Sequence, residues 1–234
     1  MEYNVYISAI ALLSPLVYGC KVNPEPAEAM DSSHVLLPEP RYESTTSVEE
    51  ALKGRRSIRD FSEEPLGIEE VSQLLWAGQG VTSEDGKRTV PSAGATYTIE
   101  LYIIALNVEG FSKGIYHYNP SEHSLIRIKE GDFREELLGA TRNQPRFEKV
   151  PVSIIIAGNF ERHKKKFGGV PEDLVKTWVY TEAGHASQSM YLQSESLGLG
   201  MVLMGGFDES KLNSLLELPS NETSLYLIPL GRKP

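Results

Sequence analysis

The sequence predicts an α+β fold, and three observations carry that prediction. Strand-like and helix-like stretches mix along the chain without the regular alternation of a doubly wound sheet. Helical spacing of apolar residues recurs in separate, well-bounded segments. One run, Val152–Ala157, is apolar but for Ser153, as suits a strand covered on both faces. With 40% hydrophobic and 24% charged residues in 234, the composition is that of a globular domain. It excludes a disordered chain, a collagen and a multi-span membrane protein. A net charge of −9 lacks the basic footprint of a nucleic-acid binder. The single cysteine, Cys20, makes neither an intrachain disulfide nor, alone, a thiolate metal site.

The elements follow in chain order. Residues 5–19 hold no charge, a run too short for a comfortable membrane span. Ending at Gly19-Cys20, residues 1–20 read as a secretory or lipoprotein signal, although only Glu2 precedes the apolar run and Tyr18 is bulky for such a site. A buried strand or helix is the alternative, so an exported or lipid-anchored protein and a cytoplasmic one both stay open. Residues 21–46, with four prolines, read as an extended linker before a body spanning residues 47–234. Ser47-Val48-Glu49-Glu50 is a capping box opening a short helix. Arg55–Phe61 is a basic loop. Ile68–Gln79 spaces Val71, Leu74, Leu75 and Gly78 as an amphipathic helix. Glu100–Leu106 is a strand; Tyr116–Tyr118, the Asn119-Pro120 turn and Ser124–Ile128 form a hairpin. Pro171 opens a helix reaching about Leu197. A long helix this poor in charge should be buried, with a partner chain as one cover for it. Leu199–Met204 is a strand, Asp208 caps a helix to Glu217, and Leu225–Leu230 is the last strand.

The cluster Arg55-Arg56-Ser57-Ile58-Arg59 is the densest cationic segment with a hydroxyl inside it. Guanidiniums and a serine hydroxyl suit a phosphate. In an extended segment, residues 55, 57 and 59 would point one way. The plainer reading is a solvated helix end with arginines over the last carbonyls. Pro91-Ser92-Ala93-Gly94 lacks bulk and lets a flat ligand approach the backbone, or is an ordinary tight turn. Met204-Gly205-Gly206 leaves backbone amides open where a strand meets a helix, or is a flexible connection. Arg232 and Lys233 end the chain as two cations or as a solvated tail. Arg162–Lys166 is the one strongly basic run, read first as a solvated face. The five histidines show no metal-binding pairing, and no metal is assigned.

The order of these motifs says more than any one of them. Arg-Arg-Ser-Ile-Arg-x-Phe, Pro-Ser-Ala-Gly-Ala-x-Tyr, Glu-x-Gly-His-x-x-Gln in a long helix, Leu-Gly-Leu-Gly, Gly-Gly-Phe and a terminal Pro-x-Gly-Arg resemble the nitroreductase family. Pro91–Tyr97 and Glu182–Gln188 resemble its SagB-type dehydrogenase branch. The resemblance implies an antiparallel or mixed sheet with surrounding helices, and an intertwined homodimer with FMN at the subunit interface. It implies that Arg55 and Ser57 hold the phosphate and ribityl chain, and that Arg59 reaches the pyrimidine edge. Ser92 and Gly94 would line the ring. Gly205 and Gly206 would offer amides to N5, and Arg232 would close on the phosphate. Arg56, Pro91, Ala93 and Met204 complete the expected cofactor-binding set. Lys166 matches a lysine followed by a tyrosine in azoline oxidases of that branch; here Phe167 follows, which has no hydroxyl. The expected activity is transfer of hydride from NAD(P)H through FMN to a small acceptor such as a quinone or nitroaromatic. The alternatives are dehydrogenation of a peptide azoline or similar substrate, and a flavin-binding protein without turnover. Expected partners are a second copy and a small-molecule acceptor, with no nucleic acid and a possible membrane tether through Cys20.

Overall fold

The computed structural model describes Met1 and residues 33–234. The signal expected at residues 1–20, Cys20 with it, and the first part of the linker lie outside the described residues. The body is one seven-stranded sheet in the order β1-β4-β3-β2-β5-β7-β6, with every neighbouring pair antiparallel. In chain order the strands are His34–Leu36, Ile99–Ala105, Gly114–Asn119, Ser124–Glu130, Val152–Asn159, Leu199–Met201 and Glu222–Arg232, β1 to β7. Helices α1 to α6 are Val48–Gly54, Ile68–Gln79, Arg134–Ala140, Glu161–Phe167, Glu172–Ser196 and Glu209–Leu216. The α+β expectation holds.

Alternation along β2 builds two cores. Leu101 and Ile103 pack with α2 and α5 on one face, while Tyr102 and Ile104 pack with α3 and α6 on the other. Because both faces are covered, every residue of β2 and β5 is buried, which explains why apolar residues dominate both, with Glu100, Ser153 and Asn159 as the buried polar exceptions. Helix α5 fills one layer. Its buried stripe includes Val175, Val179, Ala183, Ala186 and Met190, and its own sheet covers it. Thr177, Thr181, Gly184, His185 and Gln188 form an exposed, uncharged stripe on the other side. The expected burial is thus supplied on one side by the chain itself.

Three expectations need correction. The end of the expected linker is not a linker: Val35 pairs with Leu125, Leu37 and Pro40 are buried, and Gln73 grips the Arg41 backbone at both its N–H and its carbonyl. Three apolar residues before a proline show no readable period. The basic run at 162–166 is a solvated face only in part: Lys164, Lys165 and Lys166 are exposed on α4, whereas His163 is buried and Arg162 reaches the Tyr97 carbonyl and Glu100. The chain's end is not a solvated tail through Arg232, because β7 continues to that residue and pairs it with Leu199.

Candidate active site

A capping box sets the first part of the site. Ser47 Oγ accepts from the Glu50 amide at 3.1 Å, and Glu50 accepts from the Ser47 amide at 2.8 Å. This fixes α1, whose C-cap is Arg55. The chain then runs extended beside β6: the Ile58 amide donates to the Met201 carbonyl at 3.0 Å, and the Ile58 side chain fills the space above Gly200. The Arg55 guanidinium lies 5.1 Å from the centre of the Tyr191 ring. Ser57 Oγ is 3.2 Å from the Tyr191 hydroxyl, which accepts from the Leu203 amide at 2.9 Å. Arg59 is exposed and donates to the Ser57 carbonyl at 3.3 Å. The structure therefore brings Arg55, Ser57 and Arg59 together. Arg56 turns the other way, onto the carbonyls of Lys53 and Arg55, as an arginine at a helix end does. None of these three arginines meets a carboxylate among the described residues, in a chain of net charge −9. Un-neutralised guanidiniums crowded beside a hydroxyl leave room for an anion.

The second part is the loop Pro91–Tyr97. Gly94, Ala95 and Tyr97 all have positive φ, at 60°, 51° and 48°. Local bonds hold this backbone: the Tyr97 amide donates to Ser92 Oγ at 2.8 Å, and Thr96 Oγ1 donates to the Ala93 carbonyl at 2.9 Å. Helix α5 holds it from beneath through the buried Glu182. That carboxylate accepts from Ser92 Oγ at 2.6 Å and from Thr98 Oγ1 at 2.9 Å. Helix α4 holds the loop from outside. Arg162 donates to the Tyr97 carbonyl, and Lys166 to the Gly94 carbonyl. The Phe167 ring rests on Gly94, in the space a Cβ would fill. Arg88 lies over the Tyr97 ring at 4.4 Å, and burial pushes its pKa below the usual arginine value.

The third part follows β6. Gly205 and Gly206 are exposed and their amides have no protein acceptor among the described residues. Met204 pairs with Leu227 on β7. Arg232, expected on a phosphate, is engaged elsewhere: Glu70 holds its two terminal nitrogens at 3.1 Å each, and the Pro65 carbonyl holds Nε. The next residue, Lys233, reaches Glu195, whose carboxylate lies against Gly54 just before Arg55. Successive residues of an extended chain point opposite ways, which is why these two cations have separate partners. Sequence reading also passed over Tyr191 and Glu182 as site residues. Glu182 carried a signal, being the one acid between residues 177 and 194.

Helix α5 relates the first two parts. Glu182 and Tyr191 are nine residues apart, about 13 Å along the axis and about half a turn around it. One side chain leaves each flank of the buried stripe, and the exposed stripe of α5 lies between them on the other side.

The nitroreductase family matches residues 52–232. The chain belongs to the nitroreductase family. A nitroreductase-family protein of Methanocaldococcus jannaschii is 40% identical over 186 residues, 80% of this chain and 91% of that one. The crystal structure of a nitroreductase-family protein from Ralstonia eutropha superposes with a TM-score of 0.75 at 28% identity, covering 91% of this chain and 95% of that chain. The NADPH-flavin oxidoreductase of Vibrio harveyi is 24% identical over 78% of this chain and 64% of its own length. Within the family, the SagB-type branch is supported by the trifolitoxin operon protein TfxC of Rhizobium leguminosarum, 25% identical over 65% of this chain and 49% of its own. The family assignment and the nitroreductase-like fold agree with the motif order.

Proposed function

We propose that this nitroreductase-family chain is an FMN-dependent oxidoreductase working as a homodimer, with each cofactor held by both chains. The observation that carries the reading is the division of candidate residues between opposite flanks of α5. The arginine loop sits at Tyr191 and the small-residue loop at Glu182, a separation that supports a ligand shared between two chains. Two α5 helices packed antiparallel through their exposed stripes would put Tyr191 of one chain level with Glu182 of the other. Gly184 lies on that stripe with nothing near its Cβ position, which permits close approach.

The residues present fit FMN. Arg55 and Ser57 offer charge-assisted and hydroxyl donors for a phosphate. Gly94 and Ala93 offer a surface without bulk, and Gly205 and Gly206 offer unclaimed amides for an acceptor atom on a flat ring. Arg59, two residues beyond Ser57, would place a cation further along the same ligand. Bound FMN supplies the hydride chemistry, taking electrons from a reduced nicotinamide and passing them to a small acceptor such as a quinone or nitroaromatic. The chain's own contribution is binding, orientation and fixed positive charge. Dehydrogenation of a peptide azoline is the lesser reading: Lys166 does reach the small-residue loop, but Phe167 beside it carries no proton-transferring hydroxyl.

Subunit complementation tests the shared site. Arg55→Ala and Gly94→Val are each expected to abolish most FMN retention. Mixed dimers of the two would hold one intact site, with Arg55 and Gly94 drawn from different chains' undamaged copies. FMN recovered on mixing supports the reading, and no recovery on dimers proven to be mixed refutes it.

A further inference from the structure

We propose that Glu182 is the positioning residue of the small-residue loop, an inference that rests on the reading of that loop as lining the flavin. Glu182 is 1% exposed, a carboxylate in the middle of an apolar helix layer. A charge there needs a reason, because burial is costly unless partners replace water. No cation bonds to it among the described residues. Its partners are the Ser92 hydroxyl at 2.6 Å, the Thr98 hydroxyl at 2.9 Å and the Ile99 amide at 3.4 Å. All three belong to the loop or to the strand start that follows it. They bracket Gly94, Ala95 and Tyr97, whose positive φ angles are disfavoured for the two residues with side chains. Such backbone persists only when its surroundings over-determine it. Ser92 transmits the constraint directly, since the oxygen that donates to Glu182 also accepts from the Tyr97 amide at 2.8 Å.

The carboxylate thus fixes both ends of the turn to α5, the most extended rigid element of the fold. A loop held in its binding shape before the ligand arrives loses less entropy on binding. Glutamine keeps the size of the side chain but turns an acceptor into a donor. Faced one way, its NH2 opposes the donor-only Ile99 amide; faced the other, the Ser92 and Thr98 hydroxyls must turn from donors into acceptors.

The test compares the wild-type protein with Glu182→Gln and Ser92→Ala. FMN titration is expected to show binding at least tenfold weaker in Glu182→Gln. In the FMN-free protein, the Tyr97 amide is expected to exchange at least tenfold faster. The reduction potential of flavin bound to the variant is expected to rise by about 30 mV, a tenfold change in a two-electron couple, because a fixed negative charge behind the loop is gone. A carboxylate that serves the fold away from the flavin would leave that potential unmoved. Parental FMN affinity and potential overturn the proposal, even if Tyr97 exchange accelerates. Should Glu182→Gln not fold, Ser92→Ala carries the same test through FMN affinity and Tyr97 exchange. Wild-type protein that binds no FMN at all refutes the flavin reading instead, and Tyr97 exchange then still decides whether Glu182 orders the loop.

Discussion

Arg59 is the residue where charge and chemistry meet most directly. It is exposed, bonded only to the Ser57 carbonyl, and has no carboxylate partner among the described residues although Asp60 follows it in sequence. A cation near a flavin stabilises the reduced, more negative form above the oxidised one. Arg59→Ala is therefore expected to keep most FMN affinity while lowering the bound flavin's potential by about 30 mV or more. Redox titration with a dye of known potential reads this directly; a parental value would show that Arg59 faces solvent only. Its neighbours were legible in the sequence to different degrees. Arg55 and Ser57 share one partner, as the two-residue period of an extended segment predicts, whereas Arg56 follows the helix end. The Arg232 partner was not legible at all, because Glu70 lies 162 positions away and no local pattern records such a pairing.

Among the elements, α1 is the one whose placement the site depends on most for its size. It has seven residues, too few to be stable alone, and it ends at Arg55. Its capping box supplies two bonds that no packing replaces, since Ser47 and Glu50 are exposed. Ser47→Ala is expected to cost about 1 kcal/mol, measured as a shift in the urea midpoint with an unchanged slope. An unchanged midpoint would mean that Ile58 on Gly200, and not the cap, anchors this segment. Elements with a strong period or a cap were readable: α2 spans Ile68–Gln79 as its apolar spacing predicts, and Asp208 caps α6 by accepting from the Lys211 amide. Those that were missed are short. Helices α3 and α4 have seven residues each, and β1 has three, so tertiary packing rather than pattern decides them.

At the scale of the whole molecule, a histidine node ties distant segments. His123 Nδ1 is 2.8 Å from the Tyr118 hydroxyl; Nε2 is 2.7 Å from Ser72 Oγ and 3.0 Å from the Pro38 carbonyl. It joins the segment after β1, helix α2 and the β3–β4 hairpin. Burial pushes its pKa below the ordinary histidine value, and burial does the same to His163 between α4 and α5. The sign follows from linkage. Above about pH 6.5 both folded and unfolded states are neutral and nothing is lost. As pH falls below that value the unfolded chain takes up the proton first, so stability declines toward the lowered folded pKa. The melting temperature is expected to drop between pH 7 and pH 5, with a smaller drop in His123→Gln. An equal slope in that variant would remove His123 from the account.

The nine-residue interval on α5 has an implication for insertions and deletions. Adding one residue between Glu182 and Tyr191 would advance one station by 1.5 Å and swing it by about 100°. The Ser92 loop would lose its carboxylate or the Ser57 hydroxyl its tyrosine, and on a paired second helix both stations would fall out of level at once. Substitutions along this interval act singly, but in the proposed dimer a change of length would act on both chains at once. The exposed surface turn at Ser83–Gly86 has no such geometry to keep, and a length change there is one the fold would absorb.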